Sequence, residues 1–400
     1  MLSRVADCLY WMSRYLERAE HTARLLDVQQ YQGLDQRAGS AERRWERLLA
    51  ALRAPELPAY IVERPGGGTA GAGSGARAGS EGAATLDPYG ITRFLVFDAA
   101  NGSSIVACVE EARDNARQVR EQISSEMWEE LNRLYLQVKN ADMDKLWHAE
   151  PHEFYRTVRE GAHLFQGITD ATMSHGEGWH FIQLGRYIER AGATVALLDA
   201  YFTLPPEPLP DDDASLEYQQ WVSLLKSCTA FEAYSKVYTA DVRPERIVEF
   251  LLLDAEFPRS LRFMAATIQV GLQAIARATG VVRAGRAERL AGRLRATLDY
   301  SGIDEIMGAA MHPYLGDIGR QCAAIHAAVY QTYILQQHLD GRRRWVEEPA
   351  PRRGDDVASL ATAMGEPLAQ TRLDTSGDYN EDQMQQQQMA AINYRLSTID

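Results

Sequence analysis

MLSRVADCLYWMSRYLERAEHTARLLDV, residues 1–28, carries Val5, Leu9, Met12, Leu16, Ala19, Ala23 and Leu26 at alternating spacings of three and four. That period is the apolar stripe of an amphipathic helix. The stretch also has a second copy. Residues 14–27, RYLERAEHTARLLD, align with residues 186–199, RYIERAGATVALLD, at nine identical positions: Arg14/Arg186, Tyr15/Tyr187, Glu17/Glu189, Arg18/Arg190, Ala19/Ala191, Thr22/Thr194, Leu25/Leu197, Leu26/Leu198 and Asp27/Asp199. Composition alone would give roughly one match in such a window. In the second copy Phe181, Leu184, Ile188, Ala191, Val195 and Leu198 repeat the stripe.

Two further blocks follow in the same order. Trp45-x-x-Leu48-Leu49 matches Trp221-x-x-Leu224-Leu225, and FLVFDA at 94–99 matches FLLLDA at 250–255, with Ser104 against Ser260 beyond. The offset between copies falls by 20 before the last block, and residues 65–84, PGGGTAGAGSGARAGSEGAA, supply the extra length in the first copy. A Gly/Ala/Ser-rich run of this kind holds neither helix nor core. The pattern therefore predicts a duplication: repeat one over 1–172 with an insertion at 65–84, and repeat two over 173–345.

Helical periodicity also covers roughly 103–138, 152–172, 215–240, 244–278, 283–299 and 315–339, and no alternating β-branched stretch competes with it. Breakers fall at Pro65, Pro151, the LPPEPLPDDD run at 204–213 and Gly302. The expected fold is all-α, a multi-helix bundle of two repeats about a pseudo-twofold axis, with neighbouring helices antiparallel. From Val346 the chain is acidic and Gln-rich, including QMQQQQM at 383–389. Residues 346–400 are expected to be disordered or to dock on a partner.

Composition narrows the function. A net charge of −13 argues against nucleic-acid binding, which wants a basic face. No apolar run approaches the roughly 20 residues of a membrane span, and Arg4, Asp7, Arg14, Glu17 and Arg18 interrupt any signal-peptide core. A cytoplasmic protein is expected. Cys8, Cys108, Cys228 and Cys322 lie far apart among apolar residues and read as reduced core thiols.

Arg14 and Arg18 lie about 200 degrees round the helix from Leu16, and Arg14–Glu17 has the i,i+3 spacing of an intrahelical pair. Three readings stay open for the repeated Arg-Tyr-x-Glu-Arg: a solvated helical face, a buried network in which the two copies neutralise each other, or an anion or substrate site. Arg113, Arg117, Arg120 and Ser124 step by four, three and four, and would line one helix face suited to a carboxylate or phosphate. Arg259-Ser260 stands at a helix start, where serine caps and free N–H groups can bind an anion. Metal chemistry is not expected. Glu177-x-x-His180 has no counterpart at Val5-x-x-Cys8, and Pro151 separates His148 from His152. No phosphate loop or nucleophile elbow appears, and no cofactor is expected.

The N-terminal motif, with SSIVACVEEARDNARQVREQIS at 103–124, EMWEELN at 126–132, GWHFIQLGRYIERA at 178–191 and FLLLDAEFPRSL at 250–261, resembles the alpha-E family over residues 1 to about 340. The resemblance implies a bacterial helical domain with a Glu-Arg signature, here Glu17-Arg18 and Glu189-Arg190. It also implies gene neighbours: circularly permuted ATP-grasp ligases and transglutaminase-like peptidases, hence partners of those kinds. The insertion at 65–84 and the tail depart from the family's compact length. On this reading the chain is a helical partner or substrate-binding subunit of an ATP-grasp-associated system that forms or modifies a peptide or amide bond. The alternative is a stand-alone enzyme on a peptide or amino-acid substrate. There Glu17 or Glu189 would act as acid/base, and Arg14, Arg18, Arg113, Arg117, Arg120, Arg186, Arg190 and Arg259, with Tyr15, Tyr187 and Ser260, would furnish the site.

Overall fold

In a computed structural model, the described residues are 3–33, 38–58, 61–63, 85–149, 151–204, 214–239, 241–280, 285–308 and 311–335. The insertion at 65–84, most of the 204–213 run and the tail from 346 lie outside them. Among the described residues the helices are α1 (Ser3–Gly33), α2 (Ala38–Ala51), α3 (Pro88–Val96), α4 (Ile105–Gln118), α5 (Ser125–Lys139), α6 (Met143–His148), α7 (Pro151–Thr172), α8 (Glu177–Thr203), α9 (Ala214–Ser227), α10 (Phe231–Tyr238), α11 (Pro244–Leu253), α12 (Leu261–Ala278), α13 (Arg286–Tyr300), α14 (Ile303–Gly308) and α15 (Met311–Val329). A π-helical turn, Tyr330–Leu335, extends α15. Two short strands, β1 (Val62–Glu63) and β2 (Thr85–Leu86), pair antiparallel on either side of the insertion. The fold is all-α.

The helices start where local chemistry caps them. Asp87 accepts from the backbone N–H groups of Tyr89 and Gly90 ahead of Pro88, so α3 opens with its free donors satisfied. Ser104 and Ser260 do the same for α4 and α12, accepting from the N–H groups of Ala107 and Phe263. Ser124 accepts from Met127, which starts a new helix inside the expected 103–138. That span is therefore two helices, separated by a 3₁₀ turn at Arg120–Gln122. The spans expected at 215–240 and 244–278 are likewise each two helices. Asp254 ends α11 and accepts from the N–H groups of Glu256 and Phe257 before Ser260 begins α12.

Packing follows one plan twice. α1, α4, α5 and α7 close a ring in which each helix touches the next, and α8, α12, α13 and α15 close a second ring in the same order. α1 and α8 join the rings and bury Leu9, Leu16, Leu26, Phe181, Leu184 and Leu198 between them and their neighbours. Each such side chain contributes about 1.5–3 kcal/mol. We propose that the rings, spanning the helices of 1–172 and 173–345, descend from one unit. The shared packing order is what supports it.

The joining pair runs parallel. Tyr10 meets Gly185, Arg14 meets Glu189, and Leu25 and Val28 share a cavity with Leu197 and Tyr201, so residue numbers rise together along both helices. Short connections had suggested antiparallel neighbours, but α1 and α8 are not neighbours in sequence. Their close approach depends on Gly185, where a Cβ would strike the Tyr10 carbonyl oxygen. Gly185→Ala should therefore destabilise the fold by about 1–3 kcal/mol despite alanine's better helix propensity. Chemical unfolding of the variant checks this, and an unchanged midpoint would show that the helices can part without cost.

Candidate functional site

The charged face of α1 is not solvated. Arg14, Glu17, Glu20, His21, Arg24 and Asp27 are all buried, with Glu17 only 1% exposed. Their partners come from α8, from the α11–α12 turn and from α7, because α1 is covered on several sides. The expected Arg14–Glu17 pair within the helix does not form; both residues look across to α8.

The two Glu-Arg motifs pair reciprocally. Arg190 grips Glu17 with two hydrogen bonds, Nε to Oε1 at 2.5 Å and Nη2 to Oε2 at 2.9 Å. In return Glu189 accepts from Arg18 Nε and Arg14 Nε, each at 2.7 Å, one on each oxygen. Bidentate geometry of this sort suits arginine and excludes lysine. Arg259, one residue before the Ser260 cap, places Nη2 3.0 Å from Glu20 Oε2 and Nη1 3.8 Å from Glu17. Arg24 also pairs with Glu20. From α7, Gln166 donates to Glu17 at 3.3 Å, His163 lies 3.5 Å from Glu20, and His152 and Arg159 meet Asp27 at 2.6 and 2.9 Å.

Reciprocity stops at one place. Arg14 also reaches His326 Nδ1 of α15 at 2.8 Å, where the Tyr10 hydroxyl lies at 2.6 Å. Arg186, its counterpart, is buried without a carboxylate among the described residues. It donates to the Gln183 amide oxygen, and Gln183 in turn donates to Asp170 at 3.1 Å. The tyrosines supply ring faces: Tyr15 under Arg18 at 5.8 Å, and Tyr187 under Arg186 and Arg190 at 5.0 and 5.3 Å.

Arg113, Arg117 and Arg120 stay apart from this cluster. Arg113 donates to Asn132 at 2.8 Å and stacks on Tyr135, Arg117 is exposed beside Asp114, and Arg120 lies over Trp128 in the 3₁₀ turn. The single-face stripe is broken by the helix end at Gln118.

Burial and pairing set the protonation states. Burial alone would raise Glu189, but Arg18 and Arg14 outweigh it and hold the carboxyl well below its usual range. Arg190 and Arg259 do the same for Glu17, and Arg259 and Arg24 for Glu20. The histidines go the other way. Burial lowers His21 to about 4, and burial with the Arg14 cation lowers His326 to about 2. A neutral His326 keeps one lone pair at Nδ1, shared between the Tyr10 hydroxyl and Arg14 Nη1, and burial keeps Tyr10 a phenol by raising it to about 12. Burial also raises the thiols of Cys108, Cys228 and Cys322 to about 12, and all four cysteines are free and buried. Among the described residues no three His, Cys, Asp or Glu side chains form a metal-binding group. None of the described helices is long and apolar enough to cross a membrane.

Sequence reasoning found the motif arginines and glutamates but passed over Glu20, Arg24, Asp27 and His326. Glu20–Arg24 has i,i+4 spacing, and Asp27 is identical in both copies, so both were legible. His326 was not, because its partners lie more than 300 residues away.

Comparison with known proteins places the chain. A family model described as a predicted alpha-helical domain with a conserved ER motif matches residues 1–334. An uncharacterized protein of Mycobacterium bovis (Mb2597) and one of Mycobacterium tuberculosis (MT2643) are each 26% identical over 334 residues, covering 82% of this chain and 35% of the relative. The chain thus spans about a third of the length of the curated relatives it matches. No solved structure matches it. With Glu17-Arg18 and Glu189-Arg190 cross-paired at its centre, the chain belongs to the Alpha-E family.

Proposed function

We propose that the chain is a non-catalytic helical subunit that works with an ATP-grasp ligase in forming or modifying a peptide or amide bond. The observation that carries this reading is the saturation of the motif: Glu17 and Glu189 each accept from two side chains through both oxygens, and both are held ionised. A carboxylate in that state holds charge in place but does not exchange protons near neutrality, which a general acid or base must do. The enzyme alternative needs that exchange. The curated relatives carry this region inside chains about three times as long, which supports action beside another polypeptide segment. A partner that consumes ATP puts the complex in the cytoplasm.

The test co-expresses the chain with a circularly permuted ATP-grasp protein of the same organism and measures ADP release on carboxylate and amine substrates. Co-elution, with ADP release that depends on the added chain, is expected. Turnover of a peptide by this chain alone, or full ligase activity without it, would overturn the reading.

A further inference from the structure

The two copies also share a pair that the Glu-Arg network does not use. Asp27 and Asp199 close the aligned stretches, and each holds the Nδ1 of a histidine that stands second in a ring helix: His152 of α7 at 2.6 Å and His312 of α15 at 2.7 Å. α7 and α15 hold matching places in their rings, so the same Asp–His pair recurs at one end of both. A carboxylate on Nδ1 fixes the tautomer that turns the Nε2 lone pair outward. The surroundings differ. Tyr31 stacks over His152 at 3.9 Å, Arg159 takes the second oxygen of Asp27 at 2.9 Å, and Glu153 shares the first turn of α7. The His312 side chain is 66% exposed against 38% for His152, and Asp199 meets no second cation among the described residues. The first turn of α15 carries no acidic residue.

We propose that His312 is a phosphoryl acceptor, modified at Nε2 by a kinase. An imidazole with its proton held on Nδ1 is a nucleophile at Nε2. A ring in open solvent holds no substrate of its own, so the donor, a nucleoside triphosphate, arrives bound to the kinase. The Nε2 lone pair attacks the γ-phosphorus, the Nε2–P bond forms, and the bond to the nucleoside diphosphate oxygen breaks. Nδ1 keeps its proton, and the undivided carboxylate of Asp199 balances the positive charge that the ring gains. His152 lacks that balance because Arg159 already draws on Asp27. The added phosphoryl group stands by the first turn of α15, where the helix dipole favours an anion. This inference goes beyond the subunit reading and does not rest on it.

The test has two arms. In the first, the full chain is treated at mildly alkaline pH with potassium phosphoramidate, a small donor that phosphorylates histidine without an enzyme. Labelled sites are located by mass spectrometry without acid, which would cleave the N–P bond. His148 is the internal control, exposed like His312 but with its Nδ1 against only the Asp144 carbonyl at 3.2 Å. His312 should take the group about tenfold faster than His148, and Asp199→Asn should remove that advantage. Unfolding would bare the ring and quicken labelling, so a slower rate in Asp199→Asn is not lost structure. His312→Gln should keep the wild-type circular dichroism and lose this label alone. In the second arm, the chain isolated from its native cells at alkaline pH should carry phosphate on His312. Equal rates at His312 and His148, an unchanged rate in Asp199→Asn, or no phosphate on His312 in either growing or starved cells would overturn the assignment.

Discussion

Glu17→Gln should cost about 3–5 kcal/mol of unfolding free energy, the largest effect expected of any single change here. Glutamine keeps the shape but removes the charge, and Arg190 and Arg259 are then left buried with one fewer anion between them. Removing one member of a buried pair is costly because the remaining ion cannot regain its water. The loss is read as a fall in the urea midpoint at constant slope. Arg190→Met in the same chain should recover part of it, since an apolar side chain needs no counter-ion, and the double-mutant cycle measures the coupling. If Glu17→Gln unfolds at the wild-type midpoint, the pair is not what holds α1 against α8.

Stability should also fall as pH drops from 6.5 towards 4. His21 and His326 have folded-state values of about 4 and about 2, against 6.5 for the free side chain. Below 6.5 the unfolded chain takes up both protons while the folded chain takes up neither, so acid favours unfolding. Each histidine contributes a slope of about 1.4 kcal/mol per pH unit, so the two together give about 3 kcal/mol per pH unit within that window. Below 4.5 the lowered carboxyls Glu17, Glu20 and Glu189 add to the loss with the same sign, because the unfolded chain protonates them first. Urea midpoints at pH 7, 6 and 5 measure the slope. His326→Gln, which retains an acceptor for Tyr10 and Arg14, should reduce it by about half. A slope unchanged by that substitution would mean that His326 carries its proton in the folded chain.

Much of this architecture was legible in residues. The three-four spacing of Leu9, Met12, Leu16 and Ala19 gave α1, and its echo at Leu184, Ile188 and Ala191 gave α8. Ser260 carried a helix start, yet the helical periodicity of 244–278 ran across the Asp254 turn that divides α11 from α12. The break after Gln118 was missed because the arginine spacing continues through it, although Ser124 before the apolar Met127 and Trp128 carried the start signal. The pairing of Arg190 with Glu17 was named only as one reading among three. Helical spacing rules govern residues three or four apart and say nothing of partners 173 apart. The burial of the α1 face was hidden for the same reason: a face looks polar until the helices that cover it are known.

The parallel seam between α1 and α8 has a consequence for biosynthesis. At about 5–20 residues per second, α1 leaves the ribosome roughly 10–35 seconds before the helix it must meet. Throughout that wait its apolar stripe has only first-ring helices to lean on, while Arg14, Glu17 and Arg18 stand in water. The same charges that lock the finished seam therefore keep the waiting helix soluble. A version with an apolar seam, which could be as stable once folded, would expose a sticky surface for the whole interval.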